Sequence, residues 1–131
     1  MSQLAEPLRQ GLPFAFGAYV LVALALHMAL PEVWLWHIAY AALIGMLFTY
    51  PAHAAVAGEH LGLEGAISAG FAIVGLVGLL FAPILLVAAI AGHGLLDLAK
   101  HRGLGVAVPV WYLIGCAVFD LGYAAFLFTR L

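Results

Sequence analysis

Two polar stripes interrupt an apolar stretch between His93 and Asp120. His93, Asp97 and His101 are spaced i, i+4, i+8, and so are Tyr112, Cys116 and Asp120. Each four-residue step on an α-helix turns the side chain by only about 40°, so each trio lies along one helical face. Two imidazoles and a carboxylate, with a second carboxylate from Asp120, make a donor set suited to Zn²⁺, Fe²⁺ or Mn²⁺. Ligands one turn apart can reach the same ion. Three residues over two turns span about 12 Å, so His101 is either a ligand or stands behind one. Gly92 and Gly94 flank His93 and leave room beside its ring. If Gly103 to Pro109 turns the chain, the two helices run antiparallel. Pairing by depth then sets His93 opposite Asp120, Asp97 opposite Cys116 and His101 opposite Tyr112.

The candidate metal ligands are therefore His93, Asp97, His101 and Asp120. Tyr112, Cys116 and Lys100 are placed to support them, and His53, Glu59 and His60 can cap the site from a neighbouring loop. The competing account is a structural network without metal, in which Asp97 meets Lys100 or His101 and Asp120 is protonated or bonded to His93. Either account must explain the carboxylates, because a charge at mid-span costs at least about 2.5–3.5 kcal/mol. Lys100 can offset one of them, but at a helix end it is expected to snorkel toward the interface. Cys116 offers a thiolate ligand or, more plainly, a buried inert thiol. His27 and His37 flank Pro31 at the opposite end, where a pigment or haem ligand and a hydrogen-bonded structural histidine are the alternatives.

The composition says where such helices must sit. The chain has 131 residues, 67% hydrophobic and 8% charged, with a mean hydropathy of +1.19. A soluble domain carries about 25% charged residues, so this chain cannot cover a water-facing surface and is expected in a lipid bilayer as a single all-α transmembrane bundle. A net charge of −2 gives no footprint for nucleic acid. The single cysteine excludes an intrachain disulfide. Met1 to Gln10 matches a secretory signal poorly, which predicts that the first apolar run is a retained helix.

The spans are expected at 12–30, 33–50, 65–81, 83–101 and 108–130, with 51–65 as an interfacial loop or short helix. Pro31 and Pro51 are natural ends, because proline cannot continue the backbone ladder. Trp34, Trp36 and Tyr40 suit an interfacial belt. The run from Ala66 to His101 would be about 54 Å long as one helix, more than a bilayer core, so it must break. Pro83 is its only proline. A kink there instead of a turn gives four spans. Five spans place Arg9, Lys100 and Arg102 on one side and Arg130 on the other, whereas four divide the basic residues evenly. The positive-inside rule favours five, with the N-terminus cytoplasmic. Gly62, Ala66 and Gly70 form a small-residue stripe expected at a close helix contact. Five short spans bury little surface, which leaves room for a homo-oligomer.

The segment from His93 to Ala125 resembles part of a family of small, uncharacterised bacterial integral membrane proteins, a domain of unknown function. The resemblance rests on His-x-x-x-Asp followed by a histidine at the helix end (His93, Asp97, His101), and on Gly-Cys-Ala-x-x-Asp (Gly115, Cys116, Ala117, Asp120). It covers about a quarter of the chain. It departs at Lys100, where the family often has a first histidine of a pair, and at Leu96, where it often has tryptophan. The resemblance implies a membrane fold with the same two polar helices, in a bacterial inner membrane, and no reaction. On the residues alone, a divalent-metal site serving an enzyme with a lipid-like substrate is expected. A small transporter or proton-pathway protein, or an accessory subunit with a purely structural network, are the alternatives.

Overall fold

The computed structural model describes residues 2–131, with the side chains of residue 6 and of residues 10–131. The sequence folds as helices alone among the described residues: α1 (Ser2–Ala29), a 3₁₀ turn (Glu32–Trp34), α2 (Leu35–Leu47), α3 (Thr49–Ala57), α4 (Leu61–Phe81), α5 (Pro83–Lys100) and α6 (Val110–Phe128). Five segments are long and apolar enough to cross a membrane: Gln10–Ala29, Glu32–Ala57, Leu61–Phe81, Pro83–Lys100 and Val110–Phe128.

The four-span alternative fails at Pro83. Ala82 is extended, with φ −154° and ψ 91°, and α5 begins at the proline itself. A proline at the first helical position gives up an N–H that has no intrahelical partner anyway. The resulting α4–α5 hairpin is so tight that a Cβ on Gly78 would lie 2.3 Å from the backbone nitrogen of Leu86.

Pro51 behaves otherwise than expected. It does not end the second span. The helix breaks earlier, at Phe48, and Pro51 falls in the first turn of α3, where its missing N–H is tolerated. The span continues to Ala57 and carries Tyr50 and His53 into the bundle as buried residues. Of the interfacial loop or short helix expected at 51–65, the short helix forms as α3, and the loop is confined to residues 58–60. Gly58 ends α3 in the left-handed region, at φ 75°.

Packing is uneven. Leu43, Leu86, Ile90 and Leu127 are completely buried between α2, α5 and α6. A second cluster at the other end gathers Leu12, Tyr50, Ala54, Val106, Tyr112, Leu113 and Cys116. The α1 span is the least covered, 11% buried, next to 17% for α4 and 44% for α5 and α6. Its exposed Phe14, Leu21, Val22 and Met28 are surfaces for lipid. The small-residue stripe on α4 is not a contact: a Cβ on Gly62 or Gly70 would meet nothing within 4 Å. The close approaches lie one and two turns further along, at Gly75 and Gly78.

Gly78→Ala should force the hairpin apart and destabilise the fold by about 1–3 kcal/mol, the usual scale of overpacking. Gly62→Ala should be neutral or slightly stabilising, since it adds helix propensity in open space. Thermal unfolding of the two variants side by side checks the contrast.

Candidate metal centre within the bundle

Helices α5 and α6 form the most extensive helix pair in the bundle. Gly94 allows their approach at the level of the polar stripes, because a Cβ there would sit 3.1 Å from both Asp120 Cβ and Leu121 Cγ. One residue before it, His93 points across the same contact. Its Nδ1 donates to Asp120 Oδ2 at 2.7 Å and lies 3.8 Å from Asp97 Oδ2 on its own helix. One potential ligand atom from each of His93, Asp97 and Asp120 falls within 4.8 Å of the other two. The three residues are 2%, 0% and 1% exposed, so no bulk water shares the load.

Aromatic side chains fix this trio. Tyr50 on α3 donates its hydroxyl to Asp97 Oδ1 and stacks its ring on His93, with centroids 5.8 Å apart. Phe71 on α4 meets the imidazole edge-on at 5.9 Å. With these contacts made, Asp97 Oδ2 and His93 Nε2 are still without a hydrogen-bond partner. A buried polar atom with no partner loses the desolvation energy with no return, about 1–3 kcal/mol. Beside them is a cavity of about 150 Å³ whose polar lining includes His93, Asp120, Tyr112 and Cys116.

Lys100 does not snorkel, and it does not serve Asp97. It is 5% exposed and pairs with Glu64 Oε1 at 2.5 Å. Its ammonium also lies 4.3 Å from the centre of the Tyr50 ring. The same Glu64 oxygen accepts from the backbone N–H of Val106 at 2.8 Å, latching the 101–109 loop to the start of α4. Gly105, at φ 72°, has no room for a side chain, because its Cβ would collide with Glu64. The physical reason for the pairing is topological. The start of α4 and the end of α5 share one end of the hairpin, so a carboxylate and an ammonium meet there before either reaches water.

The remaining expected residues are dispersed. His101 follows the end of α5 and is exposed, so the pairing of His101 with Tyr112 does not form. Tyr112 instead donates to Thr49 Oγ1 at 2.7 Å. Asp97 bonds to Tyr50 rather than to Cys116, and Cys116 is a buried thiol on the cavity wall. His53 is buried on α3, with Nδ1 donating to the Thr49 carbonyl at 2.9 Å. Glu59 and His60 are exposed in the loop after α3. At the opposite end, His27 is 2.5 Å from the Tyr123 hydroxyl, and His37 packs edge-on against Trp34. Neither joins the trio.

Three side chains that support the trio or its loop escaped the sequence reading: Tyr50, Glu64 and Phe71. Tyr50 stands at the expected end of the second span, and Glu64 falls in the stretch 51–65 expected as an interfacial loop or short helix. One signal in the sequence was Lys100 itself, a cation within an apolar run, which needs an acid nearby.

The Glu64–Lys100 pair generates a sharp expectation. Lys100→Met alone leaves a buried carboxylate uncompensated and should cost about 3–5 kcal/mol. Glu64→Leu with Lys100→Met should recover most of that loss, because the pair is then replaced by apolar volume. Unfolding of the single and double variants in detergent measures the coupling. No family model, no curated protein and no solved structure matches this chain, so the reading of the site stands on its geometry.

Proposed function

We propose that His93, Asp97 and Asp120 hold a divalent transition metal inside the membrane, and that the protein is a metal-dependent enzyme acting on a lipid-like substrate. The observation that carries this reading is the pair of partnerless atoms, Asp97 Oδ2 and His93 Nε2, in a trio whose ligand atoms already converge. One nitrogen and two oxygens suit Zn²⁺, Mn²⁺ or Fe²⁺. Three protein ligands are the pattern of a catalytic rather than a structural site, because a coordination position is left for substrate or water. The cavity next to His93 and Asp120 gives that position somewhere to face. Such an ion supplies Lewis acidity and an activated water or, if iron, oxidation. The chain's own residues hold the geometry: Tyr50 orients Asp97, Tyr50 and Phe71 clamp the imidazole, and Gly94 sets the distance between the helices.

Elemental analysis of protein purified without a histidine tag tests the reading. A stoichiometric transition metal is expected, lost in His93→Ala and bound more weakly in Asp120→Asn. Tyr50→Phe keeps the ring stack but removes the hydrogen bond to Asp97. It should weaken metal affinity by about 10–100-fold, the usual effect of losing a residue that orients a ligand. Substoichiometric metal, with an unchanged melting temperature for Asp120→Asn, would sink the metal site and leave a structural network.

A second reading has its own support. Tyr50, Asp97, His93 and Asp120 follow one another within the apolar bundle, hydrogen-bonded at both ends with a 3.8 Å step between Asp97 and His93, and such a row of titratable groups is the material of a proton relay. Proton flux in liposomes, absent in Asp120→Asn, would favour it over the metal.

We also propose an orientation with the N-terminus in the cytoplasm of a bacterial cell. Lys100 and Arg102 close the α5 end of the bundle, and Arg130 stands at the other. Single cysteines at positions 59 and 104 should react with an impermeant reagent only from the cytoplasmic side. Labelling from opposite sides would reject the topology.

A further inference from the structure

The cavity at the polar trio has a second wall. Ala15, Tyr19 and Gly45 line it on one side and on the other line a groove of about 420 Å³ between α1 and α2. Ala18, Val22, Ala23, Leu26, Ile38, Ala41 and Ala42 complete that groove, so Tyr19 carries its only side-chain polar atom. Facing small residues usually let membrane helices close on each other. Here they leave open space, and α1 is the least buried span of the bundle. The partition between groove and cavity is the Tyr19 side chain. Its hydroxyl donates to the Ala42 carbonyl at 3.1 Å and its ring rests against Phe119. A Cβ on Gly45 would lie 3.2 Å from that ring, so glycine permits the ring to lie where it does.

We infer that groove and cavity form one site for a single-chain amphiphile that enters sideways from the bilayer, past Tyr19, and ends in a hydroxyl group. Length, volume and charge support this occupant. From Ala15 to Leu26 the groove follows about 16 Å of α1, close to half of a hydrocarbon core about 30 Å thick, which is the reach of one chain in one leaflet. Together the two spaces fall within the range of small-molecule sites, about 300–1,000 Å³. The cavity alone is too small for a lipid body and large enough for a polar terminus. An anionic terminus would face the Asp120 carboxylate on the cavity wall, and the Lys100 ammonium is committed to Glu64. An ammonium would have to cross an apolar groove as a charge, which hydrocarbon opposes. A hydroxyl both donates and accepts, and so can answer a carboxylate and an imidazole at once. The inference rests on the intramembrane site described above for its polar end, but not on the metal.

Photolabelling in nanodiscs tests it, with hexadecanol carrying a mid-chain diazirine as the probe. Label is expected on the α1 and α2 peptides that line the groove. Unlabelled hexadecanol in excess should reduce it about tenfold more effectively than hexadecane, palmitate or hexadecylamine, the discrimination of roughly one hydrogen bond. Ala18→Leu and Ala41→Leu fill the groove at exposed positions where folding is not at risk, and each should abolish the label. Ala66→Leu, exposed on α4, should not. Label spread evenly over all five spans, competition by hexadecane as strong as by the alcohol, or preference for the amine would each overturn the inference. Metal content measured on the same sample keeps the two readings apart. Specific labelling of metal-free protein defeats the metal alone, and bound metal without groove labelling defeats the lateral site alone.

Discussion

Inside a hydrocarbon layer a polar side chain has no solvent to fall back on, and the bundle is arranged around that constraint. Six side chains of the core carry charge or a titratable ring: His53, Glu64, His93, Asp97, Lys100 and Asp120. Four of them sit on α5 or on the facing stripe of α6. The His93–Asp120 bond ties these two helices at mid-length, and Gly94 makes the bond short enough to form. The other helices supply what that pair lacks. From α3 comes the Tyr50 hydroxyl, and from α4 come Phe71 and Glu64. Membrane helices gain little from excluding lipid, since lipid tails are as apolar as their own side chains. Polar closure and close packing must therefore specify the register, and here both occur at the same level of the bundle.

Charge accounting separates the two ends of α5. At the loop end, Glu64 and Lys100 cancel each other, and the spare capacity of Glu64 goes to the Val106 N–H. One turn inward from Lys100, two carboxylates share a single imidazole. Two carboxylates at this distance in a low dielectric repel, and cannot both stay ionised without further positive charge. The ammonium a turn away is already committed. The trio is thus left with an electrostatic demand that a divalent cation meets directly and that shared protons meet in part. A site built only for stability would have little reason to leave this demand beside a neighbouring pair that is fully compensated.

Much of this was legible in the sequence because it depended on periodicity. Hydropathy and the excess length of Ala66 to His101 located five spans, and the i, i+4 spacing brought His93 to Asp120. What was not legible depended on partners distant in the chain. Pro51 was read as an end, yet at the first turn of a new helix it carries no penalty, so Tyr50 is not the last residue of a span but part of a continuing one that reaches the site. His101 kept its spacing but lost its helix, which ends at Lys100, and a residue past the end of a helix no longer shares its face. Lys100 was expected to reach water because it stands at a helix end. Its partner lies 36 residues earlier and meets it only through the hairpin. The small-residue stripe on α4 misled for a related reason: small residues permit a contact, but a neighbour must be present to use it.

The same distinction explains why α1 differs from the rest. Gly75, Gly78 and Gly94 are each met by a neighbouring helix at a distance that excludes a side chain, and these contacts lock α2, α4, α5 and α6 together. Between α1 and the first half of α2, Ala15, Ala18 and Ala23 face Ala41 and Ala42 with a groove between them. Among the described residues no ion pair holds α1 to that half of α2, and the polar link there is Tyr19 to a backbone carbonyl. A contact of that kind is worth roughly 0.5–1.5 kcal/mol, small enough for an entering chain to replace. The polar trio needs rigid supports to hold two carboxylates against one imidazole, and it obtains them from α3 to α6. Access from the bilayer needs the opposite property, and α1 is the helix that has it.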